Sequence, residues 1–231
     1  MLLPYRLPAE VPGVDLWWCA LGGGAEDLAG AASLLSAAES TRVERFGTDA
    51  LRMRWIAGRA ALRRVLGRTL GVDPAAVAIR RGVRGRPELV DAGSGIDFNV
   101  SHTRGIALIA VAHGLAEGIR VGVDIEHRDR AVAADRLARK FLTPREHATL
   151  ANLASDATRH RFLRHWTCKE AMSKATGDGL AAPFRKLDVE LSDPPRLLDG
   201  PPPYVPDRWS LRYANVPDGW FATLAIWRGA Q

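Results

Sequence analysis

One long stretch of the chain repeats apolar residues at helical spacing. Over residues 49–70, Leu51, Trp55, Leu62, Val65 and Leu66 share one side of a helix and arginines take the other faces, with Gly71 placed to end it. Over 159–175 a second helix is predicted, stopped by Gly177 and Gly179. Thr143-Pro144-Arg145-Glu146 supplies a threonine N-cap, a proline at the first helical position and a glutamate at the third, which predicts a helix start. A helix is also expected over 25–38, with Ser40 or Thr41 and Glu44 as capping partners for a short helix after it. Alternating or β-branched runs predict strands over 14–20, 77–80, 98–101, 106–112, 121–125, 187–191, 209–214 and 220–227. Turns are expected at Gly22-Gly23-Gly24 and at 102–105, a basic glycine-rich loop at 82–87, a linker at 112–118 and a proline-rich loop over 193–206.

The pattern contains an echo. Trp55, Arg59, Ala60 and Arg63 match Trp166, Glu170, Ala171 and Lys174 in spacing, and each set follows a Val-Asp-hydrophobic strand, Val14-Asp15-Leu16 or Val123-Asp124-Ile125. Each half closes on a glycine turn and an apolar strand. Chance agreement of two helical patterns is one reading of this. Duplication is the other, and it predicts two similar lobes about a pseudo-twofold axis with a ligand cleft between them.

Composition changes this picture little. With 231 residues, 47% hydrophobic and 25% charged, the chain is expected to fold as one large or two small domains. No apolar run reaches the length of a membrane helix, and the first ten residues lack the layout of a secretion signal. Cys19 and Cys168 are far apart and not in metal spacing, which suits a reducing, cytoplasmic setting. The net charge of +6 rests mostly on arginine and attracts polyanions without choosing among them.

Three groups of residues carry candidate chemistry. In Val121-Gly122-Val123-Asp124-Ile125-Glu126, strand alternation puts Asp124 and Glu126 on one face and Val123 and Ile125 on the other. Paired carboxylates of this kind suit Mg²⁺, although an acidic strand edge reads the same way. Glu170 and Lys174 share a helix face, as a metal ligand and a phosphate partner or as a surface ion pair. Ser101 and His102 end a strand, where they can meet a phosphate or simply satisfy a turn.

In their order, FNVSH (98–102), VGVDIE (121–126), FLTPRE (141–146) and WTCKEAMSK (166–174) resemble the 4′-phosphopantetheinyl transferases of the two-lobed Sfp type. Gly85-Arg86-Pro87 matches that family's basic loop, and the likeness runs from about Arg42 to Leu191. The resemblance implies an α+β fold of two lobes, 1–115 and 116–231, each a small, mostly antiparallel sheet packed on helices. It also implies transfer of 4′-phosphopantetheine from coenzyme A to a serine of an apo acyl or peptidyl carrier protein, giving 3′,5′-ADP. Asp124, Glu126 and Glu170 would hold Mg²⁺, or Mn²⁺ in its place. Lys174 would hold the pyrophosphate, with Lys169 either near it or pointing to solvent, and Glu146 would be the general base unless it is only a helix cap. Arg42, Arg54 and Arg86 would meet the 3′-phosphate, with Ser101 and His102 closing over it. Arg45, Arg52 and Arg59 lie close enough in sequence to be confused with these three. The echo places Arg59 where Glu170 stands, so one metal site per chain and a monomer are expected. Apolar residues around 141–153 are candidate carrier contacts. The competing expectations are an inactive coenzyme A or carrier-binding homologue and a nucleic-acid-binding protein. No reader motif supports the second.

Overall fold

The computed structural model describes residues 3–8, 11–22, 25–82, 84–90, 95–114, 116 and 118–229. Gly23 and Gly24 of the predicted turn, Val83 of the basic loop, and Leu115 and Glu117 of the predicted linker lie outside the described residues.

The first lobe runs β1 (Tyr5–Arg6), β2 (Val14–Ala20), α1 (Ala25–Ala32), α2 (Ala37–Glu44), α3 (Asp49–Leu70), β3 (Ile79–Arg81), β4 (Pro87–Leu89), β5 (Ile96–Thr103) and β6 (Ile106–His113). The second runs β7 (Ile119–His127), α4 (Ala134–Phe141), α5 (Pro144–Ala148), α6 (Ser155–Thr176), β8 (Asp188–Glu190), β9 (Arg196–Asp199), β10 (Trp209–Tyr213) and β11 (Trp220–Arg228). From β2 and β7 onward the two orders coincide. In each lobe the first strand pairs with the last and the last with the one before it, giving β2-β6-β5 and β7-β11-β10, all antiparallel. The echo therefore extends past the long helices. Each lobe has a short helix before its long one, and each short helix opens with a capping box, Ser36 with Glu39 or Thr143 with Glu146.

Both long helices are present, each of 22 residues and ending on a left-handed glycine, Gly71 or Gly177, the second beginning at Ser155, four residues before the expected start. Three expectations need correction. The helix over 25–38 is two helices, broken at residues 33–36, because Ser36 takes the N-cap role expected of Ser40 or Thr41, with Glu39 in place of Glu44. The loop over 193–206 contains β9, which pairs with β8. Helix α4 was not anticipated, although Ala134, Leu137, Ala138 and Phe141 recur at helical spacing along it.

The two sheets pack face to face. Leu16, Trp18 and Leu108 of the first meet Val123, Ile125 and Leu224 of the second in one shared core. The outer face of the first sheet packs on Leu62, Val65 and Leu66 of α3. The outer face of the second packs on α6 through Ala171, Met172 and Ala175. Burying a large aliphatic side chain is worth about 1.5–3 kcal/mol. A one-residue slip of β7 would exchange Val123 and Ile125 for Asp124 and Glu126, so the core itself fixes which face carries the acids.

Gly122 shares that acidic face and sets how closely α6 approaches it. A Cβ at this position would lie 1.9 Å from the carbonyl oxygen of Ala171 and 2.6 Å from the amide nitrogen of Ala175. Both are backbone atoms, so the helix as a whole would have to move. Gly122→Ala is expected to cost more than about 3 kcal/mol, at or above the usual cost of overpacking. Urea unfolding checks this, and a variant within about 1 kcal/mol of wild type would refute the close-approach argument.

Candidate functional site

Asp124, projecting from β7, is the centre of the site. Its Oδ1 accepts hydrogen bonds from Lys174 Nζ at 2.7 Å and from Ser101 Oγ at 2.8 Å. Lys174 also donates to Ser101 Oγ at 2.8 Å and to the Val123 carbonyl at 3.2 Å. The other Asp124 oxygen, Oδ2, is buried with no hydrogen-bond partner. Glu126, two residues along β7, pairs with Arg130, and Glu170 faces the same space from α6. Burial and then the charge of Asp124 raise the pKa of both glutamates, each to about 7. Crowded carboxylates around an unsatisfied oxygen are a donor set short of positive charge, and hard oxygen donors of this kind fit Mg²⁺. As they stand, no three His, Cys, Asp or Glu side chains among the described residues are close enough together to hold a metal ion.

The acids are held in place across the seam between the lobes, where β5 and β7 run side by side. Asp97, Asn99 and Ser101 alternate along β5 and accept from the backbone amides of Val121, Val123 and Ile125 at 2.7, 3.1 and 3.4 Å. Side chains thus cap the outer edge of β7, which would otherwise present open amides. Arg86 fastens the same seam. It grips both Asp97 oxygens at 2.9 and 2.7 Å and donates to the carbonyls of Lys174 and Val121, each at 2.9 Å. This corrects the expectation that Arg86 meets a phosphate. The residue is 6% exposed and its guanidinium is spent on tying the first lobe to the Lys174 turn of α6.

Ser101 and His102 point to opposite sides of β5, as consecutive strand residues must. This corrects the expectation that they close over one phosphate. Ser101 belongs to the Asp124 cluster, while His102 faces α3 through Gly58, where an added Cβ would lie 2.7 Å from the ring. On the His102 side lies a cavity of about 650 Å³, lined among others by Arg42, Arg54, Arg59, Arg81, Trp55 and His102. Glu39 is the one acid in its wall, and it is already bound by Arg59 and by the buried Arg63. Arg42, Arg54 and Arg81 form no ion pair among the described residues. Burial and then the charges of Arg42 and Arg59 lower the pKa of Arg81, the mark of like charges gathered in one place. Desolvation and then the charges of Lys174 and Arg59 push His102 down to about 4, so the imidazole is neutral at pH 7. Such a cavity is built for an anion.

Glu146 and Lys169 are brought together, but away from the site. Both side chains are fully buried, with Lys169 Nζ 2.6 Å from Glu146 Oε2. Lys169 also donates to the carbonyls of Phe141 and Phe184 at 3.0 and 2.7 Å. Glu146 accepts from the amides of Thr143 and Val189, both at 2.8 Å. Burial alone would raise its pKa, yet neighbouring His165 and Lys169 outweigh that and hold it below the usual glutamate range. The enclosed carboxylate fills the helix-cap role, the alternative expected for Glu146. Lys169, expected near the pyrophosphate or pointing to solvent, is corrected to a buried partner of Glu146. Glu39 plays the matching part in the first lobe, capping α2 and pairing with arginines of α3.

Residues 120–211 match the family model described as the 4′-phosphopantetheinyl transferase superfamily, and residues 23–114 match that described as 4′-phosphopantetheinyl transferase, N-terminal. The 4′-phosphopantetheinyl transferase HetI of Nostoc sp. is 36% identical over 217 residues, covering 92% of this chain and 87% of that protein. The chain belongs to the 4′-phosphopantetheinyl transferase superfamily. A phosphopantetheinyl transferase of Thraustochytrium sp. is 29% identical over 195 residues, covering 78% of this chain and 66% of that one. A crystal structure of a holo-(acyl-carrier-protein) synthase from Bacillus anthracis in complex with CoA (3′,5′-ADP) covers 48% of this chain and 96% of its own, with 17% identity and a TM-score of 0.36, too weak a likeness to argue from.

Three features of this transferase escaped the sequence reading. Arg81 lines the basic cavity, and its place beside the basic loop was the available signal. The Asp97-Asn99-Ser101 alternation was visible as polar residues two apart on a strand, though its use as an edge cap was not. Arg130 stands four residues after Glu126 and pairs with it beyond the end of β7. The apolar residues expected to be exposed in 141–153 include Leu142 and Leu150, which are buried. Among the described residues no helix is long and apolar enough to cross a membrane.

Proposed function

We propose that this transferase moves the 4′-phosphopantetheine group of coenzyme A to a serine of an apo acyl or peptidyl carrier protein, releasing 3′,5′-ADP. One observation carries the reading. The end of β5 has an arginine-lined cavity on one side and the Asp124, Glu170 and Lys174 cluster on the other. A donor whose 3′-phosphate rests among Arg42, Arg54, Arg59 and Arg81 can extend its pyrophosphate past His102 toward Lys174. The serine oxygen forms a bond to the β-phosphorus, and the bond from that phosphorus to the oxygen shared with 3′,5′-ADP breaks. Lys174 offsets charge on the pyrophosphate, and positioning and charge neutralisation do most of the work in such transfers. Bound Mg²⁺, or Mn²⁺, would supply further neutralisation of the leaving group from Asp124, Glu126 and Glu170. With Glu146 enclosed, the serine proton would pass to a Glu170 oxygen that the metal leaves free, or to water beside it.

The reading includes a division into lobes at 1–115 and 116–231, a monomer with one site, and a cytoplasmic setting. The net charge of +6 favours an acidic carrier, whose association should slow with salt. Intact-protein mass spectrometry of apo carriers incubated with the enzyme, coenzyme A and Mg²⁺ tests the reaction, and a gain of one phosphopantetheine mass is expected. No gain on fatty-acid, polyketide and peptide-synthetase carriers alike would leave the inactive-binder reading.

A further inference from the structure

The duplication gives the second lobe a cavity of its own, about 640 Å³, with no lining residue in common with the first. It is framed by α5, the N-terminal half of α6 and the end of β8, the counterparts of the α2, α3 and β3 that frame the arginine cavity. Asp124, Glu170 and Lys174 do not line this second space.

Its wall is also basic. Arg161 and Arg164 line it and form no ion pair among the described residues. One Arg161 nitrogen donates to the Thr149 carbonyl at 3.0 Å. Arg164 lies over the rings of Tyr213 and Phe221, at 5.1 and 5.0 Å, which fixes the plane of its guanidinium. The acids of the wall are already engaged, Glu146 by Lys169 and Glu190 by Arg196. Arg145 is balanced by Asp188, which lies outside the lining. His160 lines the cavity with its Nε2 buried and without a hydrogen-bond partner, its ring set edge-on to Phe221 at 5.5 Å. Two guanidiniums without an acidic partner, one of them pre-oriented on aromatic rings, leave this wall short of an anion.

We propose that this cavity is a second anion site, which takes a small dianion of the phosphate or phosphomonoester class between Arg161, Arg164 and His160. It would let a phosphorylated metabolite bind the enzyme without entering the donor cavity.

Inorganic phosphate is the probe, titrated into the full-length protein by calorimetry and by NMR of the histidine side chains. The site is expected to persist in R42Q/R54Q, where the first cavity is weakened, and phosphate is expected to move the His160 ring resonances. R161E is expected to weaken that binding about tenfold or more, the loss appropriate to a charged hydrogen bond. Phosphate binding that vanishes in R42Q/R54Q, or that persists unchanged in R161E with His160 unmoved, would overturn the proposal.

Discussion

Asp124→Asn is expected to lower phosphopantetheine transfer by about a thousandfold or more, the scale set by losing one preorganised electrostatic partner of a transition state. The substitution keeps the shape of the side chain and removes its charge. Ser101 and Lys174 retain an oxygen to bond, and the seam hydrogen bonds from the amides of Val121, Val123 and Ile125 to β5 do not involve Asp124. The loss should therefore appear in rate with little change in unfolding midpoint. A fall in stability parallel to the fall in rate would mean that Asp124 is mainly a structural partner of Lys174.

The same variant has a second readout that needs no substrate. The charge of Asp124 is one of the causes that raise Glu126 and Glu170 to about 7, so removing it should lower both pKa values toward the ordinary glutamate range. Carbon-detected NMR titration of the glutamate carboxyls would follow this. In the wild-type protein the two groups bind protons through the region around pH 7, and a divalent cation competes with those protons. Apparent Mg²⁺ affinity should accordingly rise between pH 6 and 8, and in Asp124→Asn it should be weaker with a flatter pH dependence. A pH-independent affinity in the wild type would remove these glutamates from the ligand set.

How much of this could be read in advance follows from which forces are local. Helix α3, the glycine stops and the alternation that puts Asp124 and Glu126 opposite Val123 and Ile125 are set by spacing along the chain. They stood in the sequence without ambiguity. The duplication was visible at four positions of the long helices, and the structure extends it to element order and to paired capping boxes. What spacing could not supply was the depth of a side chain. Glu146 as a helix cap and Glu146 as a base look the same in Thr143-Pro144-Arg145-Glu146, and the two are separated only by Lys169 arriving from α6, 23 positions later. Arg86 was read as a free cation because Asp97, its partner, lies on β5, 11 positions further along the chain. The sign of a residue's charge is legible, but whether that charge is already answered depends on tertiary contacts.

That distinction makes Glu146 the sharper test of the two. Glu146→Gln is expected to destabilise the protein by about 3–5 kcal/mol, because it leaves the Lys169 ammonium buried without its countercharge. A general base would behave otherwise, with the fold unchanged and the rate lost. The double variant E146Q/K169M removes both charges together, and it should recover most of the lost stability while its folded fraction transfers at near wild-type rate. A stable E146Q/K169M enzyme with transfer abolished would restore the catalytic role. Acid adds an independent check. The pKa of Glu146 is depressed in the folded state, so the stability it contributes is fully present above the ordinary glutamate value and is lost as pH falls through the depressed one. The wild-type protein should therefore lose stability on acidification below about pH 4.5 more steeply than E146Q/K169M. Equal slopes would mean that the buried pair does not hold α5 against α6 in the way its geometry implies.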